Sequence, residues 1–215
     1  VAKGVKRKKS RTLGILVPLQ SLIVAWSGRG EVKTLTNAES LTLRGEMEGE
    51  RLFCGYYINE LILRMLHRND PHEVLFGAYE LALEGLIRET DLERTLRIFE
   101  KRLLQELGYG LHLSNDTLTG AAIESSARYR YVAELGPVID NGEEGGGVML
   151  HGESLQALRD EEQFSDLHRR ELKRLTRVTL DRHLEGRPLH SRGLFSRLFP
   201  QENEQTDLGN SLTAG

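Results

Sequence analysis

The chain has 215 residues, of which 39% are hydrophobic and 28% are charged, and its formal net charge is −3. A chain of this length and composition can bury one sizeable core or two small ones, so we expect a mostly globular protein. No apolar run approaches the roughly 20 residues that span a bilayer, and the single cysteine, Cys54, excludes an internal disulfide. These features predict a protein of the reducing cytoplasm without a membrane segment.

Positive charge is concentrated at the start of the chain. Residues 1–33 contain eight Lys or Arg and one Glu, a net charge of +7, and because the whole chain carries −3, residues 34–215 carry −10. A cationic surface of this kind suits the phosphate backbone of a nucleic acid, although a basic run by itself also fits a solvated arm. The cations predicted to contact phosphates are Lys3, Lys6, Arg7, Lys8, Lys9, Arg11, Arg29 and Lys33.

Strand-forming residues follow the basic run. The segments Leu22–Trp26 and Val32–Leu35 have strand-type composition, and the turn sequence SGRG lies between them, which predicts a hairpin. Short strands joined by tight turns indicate a small barrel or sheet. Trp26 ends the first strand, where its ring either stacks on a nucleic-acid base or belongs to the core.

Helical periodicity begins near residue 48. Apolar residues recur every three or four positions from Leu52 to Met65, which predicts a first helix. Asp70 as the N-cap, with Pro71 at the first helical position, predicts the start of a second helix. A third helix is expected to begin near Asp91 and to end at Gly108. The short connections between these helices indicate an antiparallel helical bundle.

A basic stripe runs along the third helix beside its apolar stripe. Arg97 follows the apolar residue Leu96, so we expect the Arg97 side chain to lie between an apolar groove and solvent. Alternatively, the stripe is a solvated face that pairs with glutamates of the same helix. The members of the stripe are Arg94, Arg97, Lys101 and Arg102.

Residues 111–152 contain several glycines, including the run NGEEGGG, and we predict an irregular segment held together by strand residues such as Tyr129–Val132. Within it Arg130 lies between two tyrosines, where it either touches nucleic acid or has a structural cross-strand role. His112 and His151 are the only candidate zinc ligands in the segment. Because a structural zinc ion needs four close ligands, we predict no metal site.

Two further helices are predicted, over Glu153–Glu162 and from Ser165 to about Gly186,. The second one carries five cations that either extend a nucleic-acid surface or form a solvated face, since Glu171 and Asp181 lie among them. These cations are Arg169, Arg170, Lys173, Arg174 and Arg177. The residues after Pro200 are polar, and we predict that they are disordered.

The sequence contains no motif of a phosphate-binding loop, a nucleophile elbow, a zinc protease or a dinucleotide-binding fold. Cys54 lies on an apolar helical face, where a thiol usually takes part in packing. The carboxylates fall on predicted helix surfaces. We therefore predict a protein that is not an enzyme and that requires no cofactor.

Five segments resemble, in the same order, a known protein family. They are VAKGVKRKKSR, WSGRGEVKTLTNAES, GYYINELILRML, LRIFEKRLLQELGYG and GRPLHSRGLF, and they resemble the RecO family of bacterial recombination mediators. Members of that family begin with further β-strand sequence, so the chain looks like a member that lacks the start of its first domain. His190 stands where the family usually has a lysine.

The resemblance implies an α+β fold. It places an incomplete N-terminal OB-fold β-barrel at residues 1–46 and a helical bundle at residues 47–110 and 153–199. Residues 111–152 correspond to a small insertion that carries a four-cysteine zinc site in many relatives. This segment has no cysteine, so the resemblance implies an irregular, zinc-free remnant of a zinc finger. Residues 200–215 follow as a disordered tail.

The resemblance also implies a function in recombinational repair, in the cytoplasm and close to the nucleoid. RecO proteins bind single- and double-stranded DNA, anneal complementary strands, and act with RecR to help RecA replace the single-strand DNA-binding protein SSB. The arginine of the family's L-R-x-F-E block, here Arg97, matches a position that contacts the acidic C-terminal tail of SSB, with Lys101 and Arg102 beside it. In this interpretation Trp26 and Arg130 join the cations of residues 1–33 in binding DNA.

Two other functions fit the same residues. One is a protein adaptor built on the helical bundle, with the basic start as a flexible arm. The other is an RNA-binding OB module. An adaptor would show no DNA affinity in the absence of its partner, whereas an RNA module would prefer structured RNA to a DNA strand of equal length.

Overall fold

The computed structural model of the chain describes residues 2, 14–41, 47–68, 70–142, 145–184 and 186–199. It divides the chain into two units, Val1–Met47 and Glu48–Gly215. The basic residues from Lys3 to Arg11 and the predicted tail at 200–215 lie outside the described residues. In the described part, no helix is long and apolar enough to cross a membrane. The fold is mixed, with small antiparallel sheets and six helices among the described residues.

The first unit contains the predicted hairpin. Strand β1 (Leu22–Ser27) pairs antiparallel with β2 (Thr34–Ser40), and the register shifts between Ala25 and Trp26. Gly28 follows β1 with a φ of 121°, a conformation that favours glycine,. Strand β2 begins later than the sequence predicts, because residues up to Lys33 belong to the loop and Lys33 Nζ donates to the Gly28 carbonyl oxygen at 3.0 Å.

Three helices begin the second unit, namely α1 (Gly49–Met65), α2 (Glu73–Arg88) and α3 (Leu92–Glu106). The apolar periodicity predicts all three. Their inward-facing side chains are removed from solvent, with Ile58, Leu61, Leu86, Leu103 and Leu104 each 0% exposed. Burial of this apolar surface is the main force that holds the helices together.

The start of α2 differs from the prediction. His72, not Asp70, occupies the N-cap position, and its side chain makes no capping hydrogen bond. The His72 ring instead lies 3.4 Å from Asp70 Oδ2 and 3.3 Å from Glu106 Oε1 on α3. The predicted Asp70 cap is therefore wrong, because the backbone is still non-helical at His72 and the helix begins only at Glu73.

The ends of α3 agree with the prediction. At its start, Asp91 is the N-cap, and Asp91 Oδ1 accepts a hydrogen bond from the Arg94 backbone N–H at 2.9 Å,. At its end, Gly108 has a φ of 82°, a left-handed conformation that terminates helices at low steric cost,.

The segment predicted as irregular contains a regular three-stranded antiparallel sheet. Its strands are β3 (Arg128–Val132), β4 (Gly136–Ile139) and β5 (Val148–His151), and β3 lies in the middle. The inward-facing Tyr129 and Tyr131 pack in one hydrophobic core with residues of the two helices that follow. These are α4 (Gly152–Asp160) and α5 (Asp166–His183). The strand predicted at Tyr129–Val132 is present as β3, but the prediction of irregular structure is wrong over β4 and β5. Strand β4 was missed because the sequence Gly136-Pro137 argues against a strand.

Helix α5 begins at the predicted place. Ser165 is its N-cap, and Ser165 Oγ accepts from the His168 backbone N–H while the His168 ring approaches the Ser165 N–H. The last helix, α6 (His190–Leu198), is capped from α1. The Glu60 carboxylate accepts from the backbone N–H groups of His190 and Ser191 at 2.9 and 2.8 Å, and a carboxylate at a helix N-terminus is favourable. His190 therefore contributes its backbone to the fold.

A buried carboxylate organises the loop before β3. Asp116 Oδ1 accepts from Leu118 N and from both the N–H and the hydroxyl of Thr119, and Asp116 Oδ2 accepts from Ile139 N on β4 at 2.6 Å. Two tyrosine hydroxyls accept backbone N–H groups of the same region. Among the described residues, no group of three or more His, Cys, Asp or Glu is placed to hold a metal ion. Hydrogen bonds and the apolar core thus organise this segment.

A second carboxylate ties the sheet to α5. Glu171 Oε2 accepts from the His151 N–H at 2.9 Å and from Ser154 Oγ at 2.6 Å, and Glu171 Oε1 lies 2.8 Å from His151 Nδ1. His151, one of the two candidate zinc ligands, is therefore engaged by a carboxylate. Burial raises the pKa of Glu171, but the hydrogen bonds from Ser154 and His151 together have the larger effect, so the pKa lies below its ordinary value.

Acid should destabilise this part of the second unit. Burial raises the pKa of Asp116, but hydrogen bonds from Thr119 and Ile139 outweigh burial and lower the pKa. Because the folded-state pKa is depressed, the stabilisation is present above the unfolded-state pKa of about 4 and is lost as the pH falls through the folded-state value. We expect Asp116→Asn to cost about 1–3 kcal/mol at neutral pH, since its amide group would face the Ile139 N–H. Urea unfolding across this pH range measures both effects.

Asp166→Asn is the matched control for this prediction. Its side chain is 89% exposed and pairs with Arg169 on the protein surface, so we expect a change below about 1 kcal/mol. Asp116→Asn should also flatten the acid dependence of stability, which Asp166→Asn should leave almost unchanged. Equal stability of the two variants would contradict the structural role of Asp116.

Candidate functional site

The predicted nucleic-acid residues of the first unit divide into two groups. Lys3, Lys6, Arg7, Lys8, Lys9 and Arg11 lie outside the described residues. Trp26, Arg29 and Lys33 lie together at one end of the hairpin, and all three are exposed. Trp26 is 62% exposed, so its interpretation as a core residue is wrong. An exposed aromatic ring near cations is the composition of single-stranded nucleic-acid sites.

Arg130 has a structural interaction in the second unit. Its guanidinium lies 3.1 Å from Asp140 Oδ1, and β3 places it opposite Met149 on β5. A Cβ added at Gly145 would meet Arg130 Nη1 at 2.3 Å, so the glycine-rich loop passes close to this guanidinium. These contacts fit the structural cross-strand role of Arg130, which is one of the two roles that its sequence position allows.

Arg97 does not lie where the sequence predicts. Its side chain is buried, with the residue 5% exposed, and its guanidinium donates to Glu100 Oε1 at 2.8 Å and to Thr176 Oγ1 on α5 at 3.1 Å. Although burial lowers the pKa of Arg97, the nearby Glu100 and Glu93 raise it above the ordinary value. The expected position between groove and solvent is wrong, because α5 packs over this side of α3.

The partner of Arg97 belongs to a larger buried network. Glu100 is 0% exposed, and its Oε1 also accepts the Tyr57 hydroxyl at 2.5 Å. Burial and the adjacent Glu100 raise the pKa of Tyr57, so Tyr57 remains a donor. Arg192 of α6 lies 5.7 Å from the centroid of the Tyr57 ring. The network thus joins α1, α3, α5 and α6 inside the second unit.

Two other cations of the α3 stripe, Lys101 and Arg94, donate hydrogen bonds to backbone carbonyl oxygens at the C-terminal end of α4 and just after it. Lys101 Nζ donates to the carbonyl oxygens of Leu158 and Arg159 at 2.9 and 3.2 Å, and Arg94 Nε donates to the Glu162 carbonyl oxygen at 2.7 Å. The last carbonyls of a helix lack intrahelical donors, and its C-terminal end carries negative partial charge, so cations are favourable there. The stripe is therefore neither fully solvated nor paired only within its own helix.

A shallow pocket of about 210 Å³ lies between α2 and α3. Gly85 of α2 permits close approach of the two helices, because a Cβ there would meet the Thr95 side chain at 3.0–3.1 Å. Leu81 is 58% exposed at the pocket. The apolar lining is Ala78, Leu81, Ala82, Gly85, Ile98 and Phe99, and the charged lining is Glu89, Arg94, Arg102 and Glu161. We call this site the α2–α3 groove.

The groove combines apolar surface with cations. Arg102, whose side chain is 33% exposed, donates from Nη2 to Glu161 Oε2 at 2.6 Å and from Nε to Glu161 Oε1 at 3.1 Å. Lys101 Nζ lies 2.9 Å from the same Glu161 carboxylate. A guanidinium that holds a carboxylate through two hydrogen bonds is a strong anion site. Sequence spacing indicates Lys101 and Arg102, but Glu161 gives no signal because its partners are about 60 residues away.

The cations of α5 are mostly engaged within the second unit. Arg169 bonds Asp91 at 2.9 Å, Lys173 bonds Glu93 at 2.7 Å, and Arg174 donates to the Met149 carbonyl oxygen at 2.6 Å. Arg177 is 3.9 Å from Asp181 and remains 65% exposed. These contacts fix α5 against α3 and β5, which favours a structural role for most of this row.

Cys54 has the surroundings of a packing residue. It is 3% exposed, and burial raises the pKa of its thiol to about 12. A thiol with this pKa is protonated near neutral pH and is a poor nucleophile.

Comparison with known proteins places the chain among recombination proteins. The protein-family model described as "Recombination protein O C terminal" matches residues 47–193. The protein named DNA repair protein RecO of Methylococcus capsulatus is 43% identical over 195 residues, which cover 91% of this chain and 79% of the relative. Proteins of the same name from Nitrosococcus oceani and Dechloromonas aromatica are 42% and 44% identical, cover 92% of this chain, and are themselves covered to 80% and 83%.

Proposed function

Because the chain belongs to the RecO family and shares its function in DNA repair and recombination, we propose that it is a mediator that binds DNA and anneals single strands. The observation that carries this proposal is the identity of 43% along 91% of the chain. The exposed Trp26 with Arg29 and Lys33 supports it, because these residues suit a stacked base and its phosphates. No catalytic step is part of the proposed mechanism.

The proposed architecture has two parts with separate tasks. The hairpin of β1 and β2 belongs to an OB-fold barrel that holds DNA strands with little sequence preference, since phosphate contacts carry no sequence information. The helices of the second unit form a helical bundle that binds proteins. Together with RecR, the protein would help RecA replace SSB on single-stranded DNA in the cytoplasm.

A titration of labelled oligonucleotides tests the DNA function. The chain should bind single- and double-stranded DNA, and log–log plots of affinity against salt should be steep because bound phosphates release counterions. Preference for a structured RNA of equal length would favour an RNA-binding module. No affinity for any nucleic acid would favour a protein adaptor.

We also propose that the α2–α3 groove, and not Arg97, receives the acidic, aromatic-ended tail of SSB. The apolar floor around Leu81 suits a phenylalanine ring, and the guanidinium of Arg102 suits a carboxylate. Arg97 is buried, is already bound to Glu100 and Thr176, and does not line the groove. This proposed assignment differs from the one that the family resemblance implies, in which Arg97 contacts the tail.

Substitutions on the groove should weaken tail binding. We expect Arg102→Ala to lower the affinity for an acidic peptide ending in phenylalanine by about 1–3 kcal/mol, the range for a hydrogen bond to a charged group. Leu81→Asp should weaken binding at least as much, because it places a negative charge on the apolar floor. Isothermal titration calorimetry measures both.

Arg88→Ala provides the matched control for the groove. Arg88 is also an arginine of this helix pair, but it is 75% exposed, pairs with Glu84 and does not line the groove. Peptide affinity should be the same for Arg88→Ala and the unmodified chain. Loss of affinity in Arg88→Ala alone would place the peptide on another face of α2.

A further inference from the structure

Glu161 has an unusual backbone conformation at the end of α4. It is the C-cap residue, with φ of 56° and ψ of 36°, in the left-handed region. Helices commonly end with such a residue, but it is usually glycine, because other residues are sterically disfavoured there. The backbone conformation at this position disfavours a glutamate, so the contacts of the Glu161 side chain are the feature that its backbone does not explain,.

The side chain of Glu161 occupies the anion-binding position of the α2–α3 groove. Its carboxylate lies 2.9 Å from Lys101 Nζ and 2.6 Å from Arg102 Nη2, and it is one of the residues that line the groove. Burial raises the pKa of Glu161, but the hydrogen bonds from Arg102 and Lys101 lower it below the ordinary value. The carboxylate is thus ionised at neutral pH, and both cations are engaged before any ligand arrives.

An incoming carboxylate must compete for the same donors. A bidentate contact with a guanidinium uses the donors that Glu161 already holds, and a second carboxylate next to Glu161 would be repelled. The Glu161 side chain is 27% exposed, so it can leave the groove for solvent without unfolding α4.

We propose that Glu161 is an internal competitor that covers Arg102 of the α2–α3 groove, together with the neighbouring Lys101, until an acidic peptide displaces it. This inference rests on the proposed function of the groove as an acidic-peptide site. Glu161 lowers the affinity for every anionic peptide, and it discriminates against peptides with a single carboxylate, since only a ligand with several charges compensates for the displaced ion pairs. It is therefore a residue that sets specificity in the groove.

Glu134 offers a closely matched comparison. It is also a glutamate with positive φ, 66°, and its carboxylate bonds an arginine, Arg182. It lies between β3 and β4 and does not line the groove. Glu134→Gln therefore reproduces the charge change and the backbone context of Glu161→Gln at a position outside the groove.

Calorimetry of the full chain with a synthetic peptide of three aspartates and a C-terminal phenylalanine tests the inference. Glu161→Gln should bind the peptide about tenfold more tightly than the unmodified chain, a change of about 1.4 kcal/mol. Glu134→Gln should remain within about twofold of the unmodified chain, which is less than 0.5 kcal/mol. A peptide with asparagine in place of aspartate and an amidated C terminus carries no carboxylate, so it should show no gain with Glu161→Gln.

The outcomes separate the inference from the function on which it rests. Peptide binding to the unmodified chain with equal or weaker binding to Glu161→Gln overturns the inference and leaves the groove assignment intact. Absence of peptide binding to all the proteins overturns the groove assignment and the inference together. Glu161→Gly is a second variant, and it also removes the steric strain of a side chain on a left-handed backbone. It should gain affinity as Glu161→Gln does. Circular dichroism establishes that both variants are folded.

Discussion

Replacing Arg97 by alanine should lower the free energy of unfolding by about 3–5 kcal/mol, the range for removing one partner of a buried ion pair. Glu100 is 0% exposed, and without Arg97 its carboxylate would keep only the Tyr57 hydroxyl as a donor in the interior. Thr176 of α5 would also lose the guanidinium. An uncompensated buried charge is far more costly than the loss of a surface contact.

Two further variants show whether the loss of stability in Arg97→Ala comes from the buried ion pair. Arg88→Ala removes an exposed arginine paired with Glu84 and should change the stability by less than about 1 kcal/mol. The double variant Arg97→Met with Glu100→Leu removes both charges and should recover a large part of the loss, because apolar residues often replace buried ion pairs without cost. Urea denaturation gives all three free energies. If Arg97→Ala unfolds at the same urea concentration as Arg88→Ala, Arg97 does not support the core.

The position of Arg97 shows what helical periodicity leaves undetermined. The periodicity places Arg97 beside Leu96 on α3 and correctly predicts the helix and its start near Asp91. It does not show which other helix covers that side. Thr176 on α5, which receives Arg97, is 79 positions away in sequence, so no local pattern links the two residues.

Sequence analysis missed two of the three strands of the sheet in the second unit for a related reason. The alternation in Tyr129–Val132 indicates β3, but β4 is four residues long and begins with Gly136-Pro137. The carboxylates of Asp116 and Glu171, which organise this region, bind groups about 20 residues away in sequence. Such residues resemble ordinary surface carboxylates until the chain is folded.

The exposure of large apolar residues is another property that the sequence leaves open. Trp26, for which the sequence allows either a core position or a stacked base, is 62% exposed, and Leu81 is 58% exposed. Each of them lies beside cations, at the end of the hairpin and in the α2–α3 groove respectively. Large exposed apolar side chains next to cations are a feature of binding surfaces, and this feature becomes visible only when burial is known.

Changing Lys6, Arg7, Lys8 and Lys9 to alanine should weaken single-stranded DNA binding by roughly a hundredfold or more at about 50 mM salt. On single strands each neutralised phosphate contributes about −0.7 to the slope of log affinity against log salt, so four lost contacts flatten the slope by roughly two to three. Fluorescence anisotropy with a labelled oligonucleotide at several salt concentrations measures both quantities. The difference in affinity should shrink as salt rises, because the lost contacts are electrostatic.

The control for the basic run is on α5. Arg170 and Arg177 are exposed cations, and Arg177 has only a long contact of 3.9 Å with Asp181, so the double change to alanine should disturb the fold very little. If the basic run carries the affinity, this variant should keep the slope of the unmodified chain. A slope that falls with Arg170 and Arg177 but not with the four residues near the N terminus would place the DNA on α5. The two variants remove cations from different units. The titrations therefore assign the phosphate contacts to one unit or the other.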